Sequence, residues 1–276
     1  MHRRLGLNGA TTGPADLTLD LQAAREAGLG ALELRDTKLQ RYLQAGGSLE
    51  TLRQMLAQAG VEPASINAVE HATPASQADQ QAVLERCRTL CRWAHALGCP
   101  LVVAVAGPRG ELAPQEATER TVQTLRSMAA IARQHGVRIG FEFLGFPGMS
   151  VRTLEEARSV VEAVGDPAVG LVLDTFHFHA GGSTPGMLQG LDVSRLFMVH
   201  LNDAEDRPPS ELTDGHRLLP GDGVIPLAEL VAALETLGYR GVYSVELFRP
   251  EYWEWEPKHL AREAHRRLQR LLEQAR

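Results

Sequence analysis

Four residues in the second half of the chain each close a short apolar run: Glu142, Asp174, His200 and Glu246. They end Arg138-Ile139-Gly140-Phe141-Glu142, Gly170-Leu171-Val172-Leu173-Asp174, Leu196-Phe197-Met198-Val199-His200 and Val242-Tyr243-Ser244-Val245-Glu246. Such runs, bounded by turn residues and rich in β-formers, read as buried parallel strands. A lone carboxylate at a strand end is ordinarily solvated or caps the next helix, so no single member carries an argument. Recurrence on successive strands is harder to produce by packing. In a closed α/β barrel the carboxyl ends of the strands converge on one mouth, where active sites sit. Three carboxylates and an imidazole there would hold one divalent ion. The donor set suits Zn²⁺, Mn²⁺ or Co²⁺, with Mg²⁺ also open.

Strand and helix signals alternate along the whole chain, as a barrel requires. Strands are expected at residues 5–11, 31–34, 64–69, 101–106, 138–142, 170–174, 196–200 and 241–247. Helices are expected at 49–59, 79–97, 114–135, 154–164, 227–237 and 257–274, with a first one that Gly28 stops. Thr153 stands where a cap for the 154–164 helix belongs. The pattern loosens after Asp174, with a loop at 180–186 and a long polar segment from His200 to Gly223. Long loops in compact domains are usually functional or disordered, and this one leaves the proposed mouth. The expectation is a (β/α)₈ TIM barrel forming one domain over residues 1–276, a length that suits the usual size of about 250 residues. The alternative, a doubly wound open sheet, lacks a Gly-x-Gly-x-x-Gly after the first strand.

Composition narrows the function classes. A net charge of −6 argues against a protein that coats nucleic acid or an anionic membrane. No apolar stretch approaches the roughly 20 residues of a membrane helix. The start, Met1 to Asn8, reads as lead-in and first strand rather than a signal peptide, so a cytoplasmic enzyme is expected. The three cysteines give no disulfide framework. Cys87 and Cys91 are four apart on a helix, and free cysteines are most often small buried hydrophobes.

Further side chains cluster around the four. His177 follows Asp174 by three residues and either faces the same mouth or caps a helix. His179 reads as structural. Arg217 lies in the long loop, where a solvated surface arginine is the ordinary expectation. Asn202 and Asp203 come just after the strand that ends in His200 and are placed to orient groups behind the ligands. Phe248, Arg249, Tyr252, Trp253 and Trp255 follow Glu246. They either wall a substrate pocket or pack a neighbouring subunit, which leaves a homo-oligomer open.

The segments Gly170-Leu171-Val172-Leu173-Asp174-Thr175-Phe176-His177-Phe178-His179-Ala180 and Ser244-Val245-Glu246-Leu247-Phe248-Arg249-Pro250-Glu251-Tyr252 carry a family resemblance. The chain resembles the xylose-isomerase-like TIM-barrel superfamily, and within it the inosose isomerases, over nearly its whole length. Weaker support comes from Asn8-Gly9-Ala10-Thr11-Thr12, Val102-Val103-Ala104-Val105 and Leu212-Thr213-Asp214. The resemblance implies that Glu142, Asp174, His200 and Glu246 bind the metal, and that His177 and Arg217 contact substrate oxygens. It also implies a small cyclitol or ketose substrate. The implied reaction moves a carbonyl to the adjacent hydroxyl-bearing carbon of a cyclic polyol, converting 2-keto-myo-inositol to 1-keto-D-chiro-inositol. Glu142 and Glu246 would exchange protons with carbon through an enediolate rather than pass a hydride. No lysine stands at an expected strand end, which argues against a Schiff-base mechanism.

Ketose epimerases, hydroxypyruvate isomerases and inosose dehydratases of the same superfamily share the four ligands. A rival from another class is an endonuclease IV-like nuclease, which needs extra histidines for a metal cluster. The fourth strand ends Ala104-Val105-Ala106-Gly107 without a ligand, although Asp214-Gly215-His216 resembles a nuclease Asp-x-His pair. A silent barrel that senses a metal–sugar complex is the third reading.

Overall fold

The structure, a computed structural model, describes residues 4–274. The lead-in expected at residues 1–3 lies outside the described residues. Strand β1 (Arg4–Asn8) leads through α1 (Leu17–Ala27) to β2 (Ala31–Arg35). Helices α2 (Asp36–Gln44) and α3 (Leu49–Ala59) precede β3 (Glu62–Val69), and α4 (Gln77–Leu97) precedes β4 (Leu101–Val105). The order continues α5 (Pro114–Gln134), β5 (Arg138–Glu142), α6 (Leu154–Val164), β6 (Val169–Asp174), α7 (Thr175–Ala180) and β7 (Leu196–His200). A two-residue pair, β8 (Asp203–Ala204) and β9 (Arg217–Leu218), lies in the next loop. Then come α8 (Leu227–Thr236), β10 (Val242–Val245), α9 (Pro250–Trp253) and α10 (Pro257–Gln274).

Eight parallel strands close in the order β1-β10-β7-β6-β5-β4-β3-β2. Because β1 pairs with both β2 and β10, the sheet has no edge and the open-sheet alternative falls. Strands β4, β6 and β7 are buried along their full length, the reason their sequences read as continuous apolar runs. One core lies between the barrel and its helices. A second, including Ala31, Leu101, Val103, Val172 and Met198, fills the barrel itself. Successive side chains of a strand alternate in and out. Two residues on from Val172 comes Asp174, and two on from Met198 comes His200. The apolar filling thus gives way to the polar mouth.

Two local features differ from the sequence expectation. Strand β1 ends at Asn8, not at residue 11, because the Asn8 side chain accepts from the Ala10 N–H at 2.9 Å and the chain turns. Helix α2 starts directly after β2 with no Gly or Pro to announce it. Leu39 is its buried apolar position. Between α7 and β7 the expected loop is found, carrying only 3-10 turns at Pro185–Leu188 and Val193–Arg195. Elsewhere local signals hold. Thr153 caps α6 in a full capping box with Glu156. Cys87, Cys91 and Cys99 are free and buried.

A buried ion pair ties α1 and α2 to the loop after β1. Lys38 Nζ donates to Asp20 Oδ1 and Oδ2 at 2.8 and 2.9 Å and to Thr12 Oγ1 at 3.1 Å. Asp20 is wholly buried and Lys38 is 4% exposed. Burial pushes the Asp20 carboxyl up to about 6, against the pull of Lys38. Removing one partner of such a pair leaves an uncompensated buried charge, typically costing about 3–5 kcal/mol. Lys38→Met is therefore expected to destabilise the fold by about that amount above neutrality. Asp20 holds its proton more tightly folded than unfolded, so its protonation favours the folded state. Without Lys38 the variant's Asp20 takes up its proton at higher pH than the wild type does, so the deficit should shrink as pH falls from mild alkali towards about 6. Urea unfolding of both proteins in acid and in mild alkali checks the size and the sign.

Candidate metal centre

The barrel brings Glu142, Asp174, His200 and Glu246 together. One ligand atom from each lies within 4.8 Å of all the others, and all four residues are buried. Strands β5, β6 and β7 end on the first three, and Glu246 follows β10 by one residue. The His200 Nδ1 atom lies 2.9 Å from Glu142 Oε1, 3.2 Å from Glu246 Oε2 and 3.8 Å from Asp174 Oδ2. His71 and His216, which a nuclease-like cluster would recruit, are not in the group. Among the described residues it is the one such cluster. The His216 Nδ1 accepts instead from the Thr213 N–H at 3.1 Å.

Charge crowding sets the electrostatics. Burial pushes the Glu142 carboxyl well above its ordinary range, and the charges of Glu246 and Asp174 add to that push against His200. Burial disfavours a charged His200, yet Glu33, Glu246 and Glu142 outweigh it and raise the imidazole well above its usual value. Asp174 shows the opposite balance. Burial would raise it, but Arg217, His177 and His200 hold it below the usual range. Three oxygen donors and one imidazole nitrogen, dry and crowded by like charge, fit a divalent cation.

The supporting shell is denser than the sequence indicated. Arg217 is 1% exposed, which corrects the expectation of a solvated loop arginine. Its Nη1 donates to Asp174 Oδ2 at 2.5 Å, its Nε to Asp214 Oδ1 at 3.0 Å and its Nη2 to His177 Nε2 at 3.0 Å. The β8–β9 pair carries it inward, joining Ala204 to Arg217. The backbone N–H of His177 donates to Asp174 Oδ1 at 2.9 Å, so Asp174 also caps α7. The His177 ring is buried and held below its ordinary value by burial and Arg217. Asn202 does orient a ligand-type residue, donating to Asp174 Oδ2 at 2.9 Å. Asp203 does not. Its carboxylate accepts the N–H groups of Ala204, Gly221 and Ile225 and staples the long loop. His179 is half-buried and outside the group.

Sequence reading missed Glu33, Asn8, Asn67 and Arg35 as members of the site. Asn8 Nδ2 donates to Glu246 Oε1 at 2.9 Å, and Arg35 Nη1 donates to Asn67 Oδ1 at 2.9 Å. Glu33 accepts from Ser65 Oγ at 2.7 Å and lies 3.1 Å from His200 Nε2. A signal existed in Ala31-Leu32-Glu33-Leu34, where a carboxylate interrupts a buried strand one residue short of its expected end. The aromatic cluster builds the rim. The Phe248 ring lies beneath two guanidinium groups, Arg35 at 5.5 Å and Arg217 at 5.2 Å from its centroid. Trp253 Nε1 donates to the Ala10 carbonyl at 3.1 Å. Its indole covers Gly13, where φ is +51° and a Cβ would collide with the ring. Phe248 and Trp253 thereby wall a cavity of about 430 Å³, shared with Gly9, Arg35 and Lys38. Trp255 stays 37% exposed.

A family model for the xylose isomerase-like TIM barrel matches residues 21–271. The chain belongs to that family. The inosose isomerase of Halalkalibacterium halodurans is 36% identical over 254 residues, 91% of this chain and 90% of the relative. That of Bacillus subtilis is 35% identical, covering 91% of each chain. The solved structure of the IOLI protein with a binding zinc atom has a TM-score of 0.93 at 33% identity, covering 98% of each chain.

Wild-type protein is expected to take up one divalent ion per chain, and Asp174→Asn and His200→Ala to lose most of that occupancy in elemental analysis. Full retention in both would exclude this ligand set. Uptake must displace the protons that crowding holds on His200 and Glu142. Affinity should therefore rise with pH, and calorimetry in buffers of different ionisation enthalpy should register proton release.

Proposed function

We propose that the protein is a divalent-metal-dependent inosose isomerase converting 2-keto-myo-inositol to 1-keto-D-chiro-inositol. The observation that carries the reading is the buried convergence of Glu142, Asp174, His200 and Glu246. Relatives that align along nine-tenths of the chain and are named inosose isomerases point the same way. Zinc, manganese and cobalt all suit the donor set. A zinc-binding structural neighbour favours zinc.

Held by these four residues, the ion would act as a Lewis acid on the substrate carbonyl and neighbouring hydroxyl, acidifying the C–H between them. The protein's own groups move the protons. Glu246 Oε2 faces His200, while Oε1 is fixed by Asn8 and reached by Asn67 Nδ2 at 3.4 Å. Oε1 is the atom placed to take the proton from the hydroxyl-bearing carbon. Glu142 stands on β5, with β6 and β7 between it and β10. Its Oε1 is committed to His200, so Oε2 is the atom to deliver a proton to the old carbonyl carbon. The hydroxyl proton passes from one substrate oxygen to its neighbour. Arg217 has five N–H groups, and the one not spent on Asp174, the Glu246 carbonyl, Asp214 and His177 is available to a substrate oxygen. The His177 ring is held at both nitrogens, with Nε2 3.0 Å from Arg217 Nη2 and Nδ1 3.4 Å from the backbone N of Gly145. Phe248 and Trp253 supply the apolar wall for the ring.

Metal-reconstituted protein should turn over an inosose in a panel that also holds ketohexoses and hydroxypyruvate, read by NMR. Turnover of a ketohexose alone would replace this reading with an epimerase. In D₂O, deuterium should enter at the carbon that receives the proton, and Glu246→Gln should lose exchange while still binding substrate. Full retention of the original hydrogen, with Glu142→Gln and Glu246→Gln both active, would count against proton transfer.

His177→Ala should keep its metal but lose at least about tenfold in kcat/KM, since one good buried polar contact is worth about 1–3 kcal/mol. Wild-type kinetics in that variant would remove His177 from substrate binding.

A further inference from the structure

Apart from the four ligand-type residues, one more carboxylate reaches the same imidazole. Glu33 on β2 is wholly buried. Its Oε2 accepts from Ser65 Oγ at 2.7 Å and lies 3.1 Å from His200 Nε2. Its Oε1 is buried without a well-formed hydrogen bond, and the Ser244 hydroxyl also pulls on the carboxylate. A dry carboxylate with an unsatisfied oxygen is unfavourable, and its presence in a barrel strand asks for a compensating role. The geometry supplies one, because the two nitrogens of the His200 ring are divided. Nδ1 faces Glu142, Asp174 and Glu246, and Nε2 faces Glu33.

An imidazole that ligates a metal through one nitrogen carries its proton on the other, and the acceptor behind the ring decides which is which. We infer that Glu33 is a positioning residue for the metal centre, keeping the proton on His200 Nε2 and turning the Nδ1 lone pair towards the ion. The barrel makes this contact rigid. Glu33 pairs in register with Ser65 on β3, and His200 pairs with Ser244 on β10. The carboxylate and the ring therefore approach across the interior from strands that do not move against each other. Glu33 also adds a negative charge behind the ring, which strengthens its hold on a cation.

The inference rests on reading the four residues as metal ligands, and the test separates the two. Zinc is titrated into metal-free wild type, Glu33→Gln and Glu33→Ala against a competing chelator. Histidine labelled with ¹⁵N reports each ring nitrogen. In zinc-loaded wild type, His200 should show a ligated Nδ1 and a slowly exchanging Nε2–H. Glu33→Ala should weaken zinc binding by about 10–100-fold and lose the slow Nε2–H, while unfolding stays cooperative. Glu33→Gln keeps the volume and an oxygen that can accept from Nε2 and should recover part of the affinity, whereas Glu33→Met, which keeps the volume without an acceptor oxygen, should recover none. Ser65→Ala frees Glu33 Oε2 and should show the same changes in smaller measure, so the test survives if Glu33→Ala does not fold. Wild-type affinity and ring signals in the Glu33 variants would overturn the role of Glu33 alone. A wild type that takes up no zinc would overturn it together with the metal centre.

Discussion

Repulsion among carboxylates in a dry space organises this molecule's mouth. Glu33, Glu142, Asp174 and Glu246 are all buried, and the ligand atoms of the last three lie within 4.8 Å of one another and of the His200 ring. At an effective dielectric of about 20, two like charges at such a separation repel by roughly 3–4 kcal/mol. Fixed cationic partners answer only part of that. Arg217 serves Asp174, and a protonated His200 serves Glu33 and Glu142. The raised Glu142 carboxyl is the residue of the imbalance. A divalent cation would answer the rest, and the pocket would then suit a small ligand that brings oxygen donors to such an ion.

Everything around the cluster serves to keep it from relaxing. A crowded set of carboxylates would separate if its backbone could move, and the closed barrel denies that freedom by pairing every strand on both sides. The long loop after His200 is equally constrained. Asp203 gathers three N–H groups of that loop, and the short β8–β9 pair then carries Arg217 against Asp174. Beyond β10, Lys38, Asp20 and Thr12 pin the turn after β1, next to Asn8, which reaches Glu246. Stability and function are coupled here through the same short contacts.

Much of this was legible in the amino-acid sequence. The apolar runs ending in Glu142, Asp174, His200 and Glu246 named both the strands and their chemistry, because strand periodicity and residue type are local. Thr153 announced α6 by its capping chemistry, and Pro257–Gln274 was legible as a helix end to end. The less local a feature, the less the sequence said. Helix α2 was overlooked because it follows β2 with no intervening turn residue. Glu33 was passed over because a strand-interior carboxylate looks like any alternating position until its partner is known. Arg217 was singled out only through the family resemblance, because a polar loop by itself gives no hint of folding back.

The sequence by itself determined the barrel class, the donor types at the mouth and the strand ends that carry them. Each depends on hydrophobic period, turn residues and side-chain chemistry within a few positions. Only the tertiary structure decided which donors share one ion-sized space and which residues hold them there. Glu33 meets His200 across 167 positions of chain, and Arg217 meets Asp174 across 43. No local pattern encodes such distances. They follow from closure of the barrel, which brings strands far apart in sequence within hydrogen-bonding reach and shuts water away from the charges they carry.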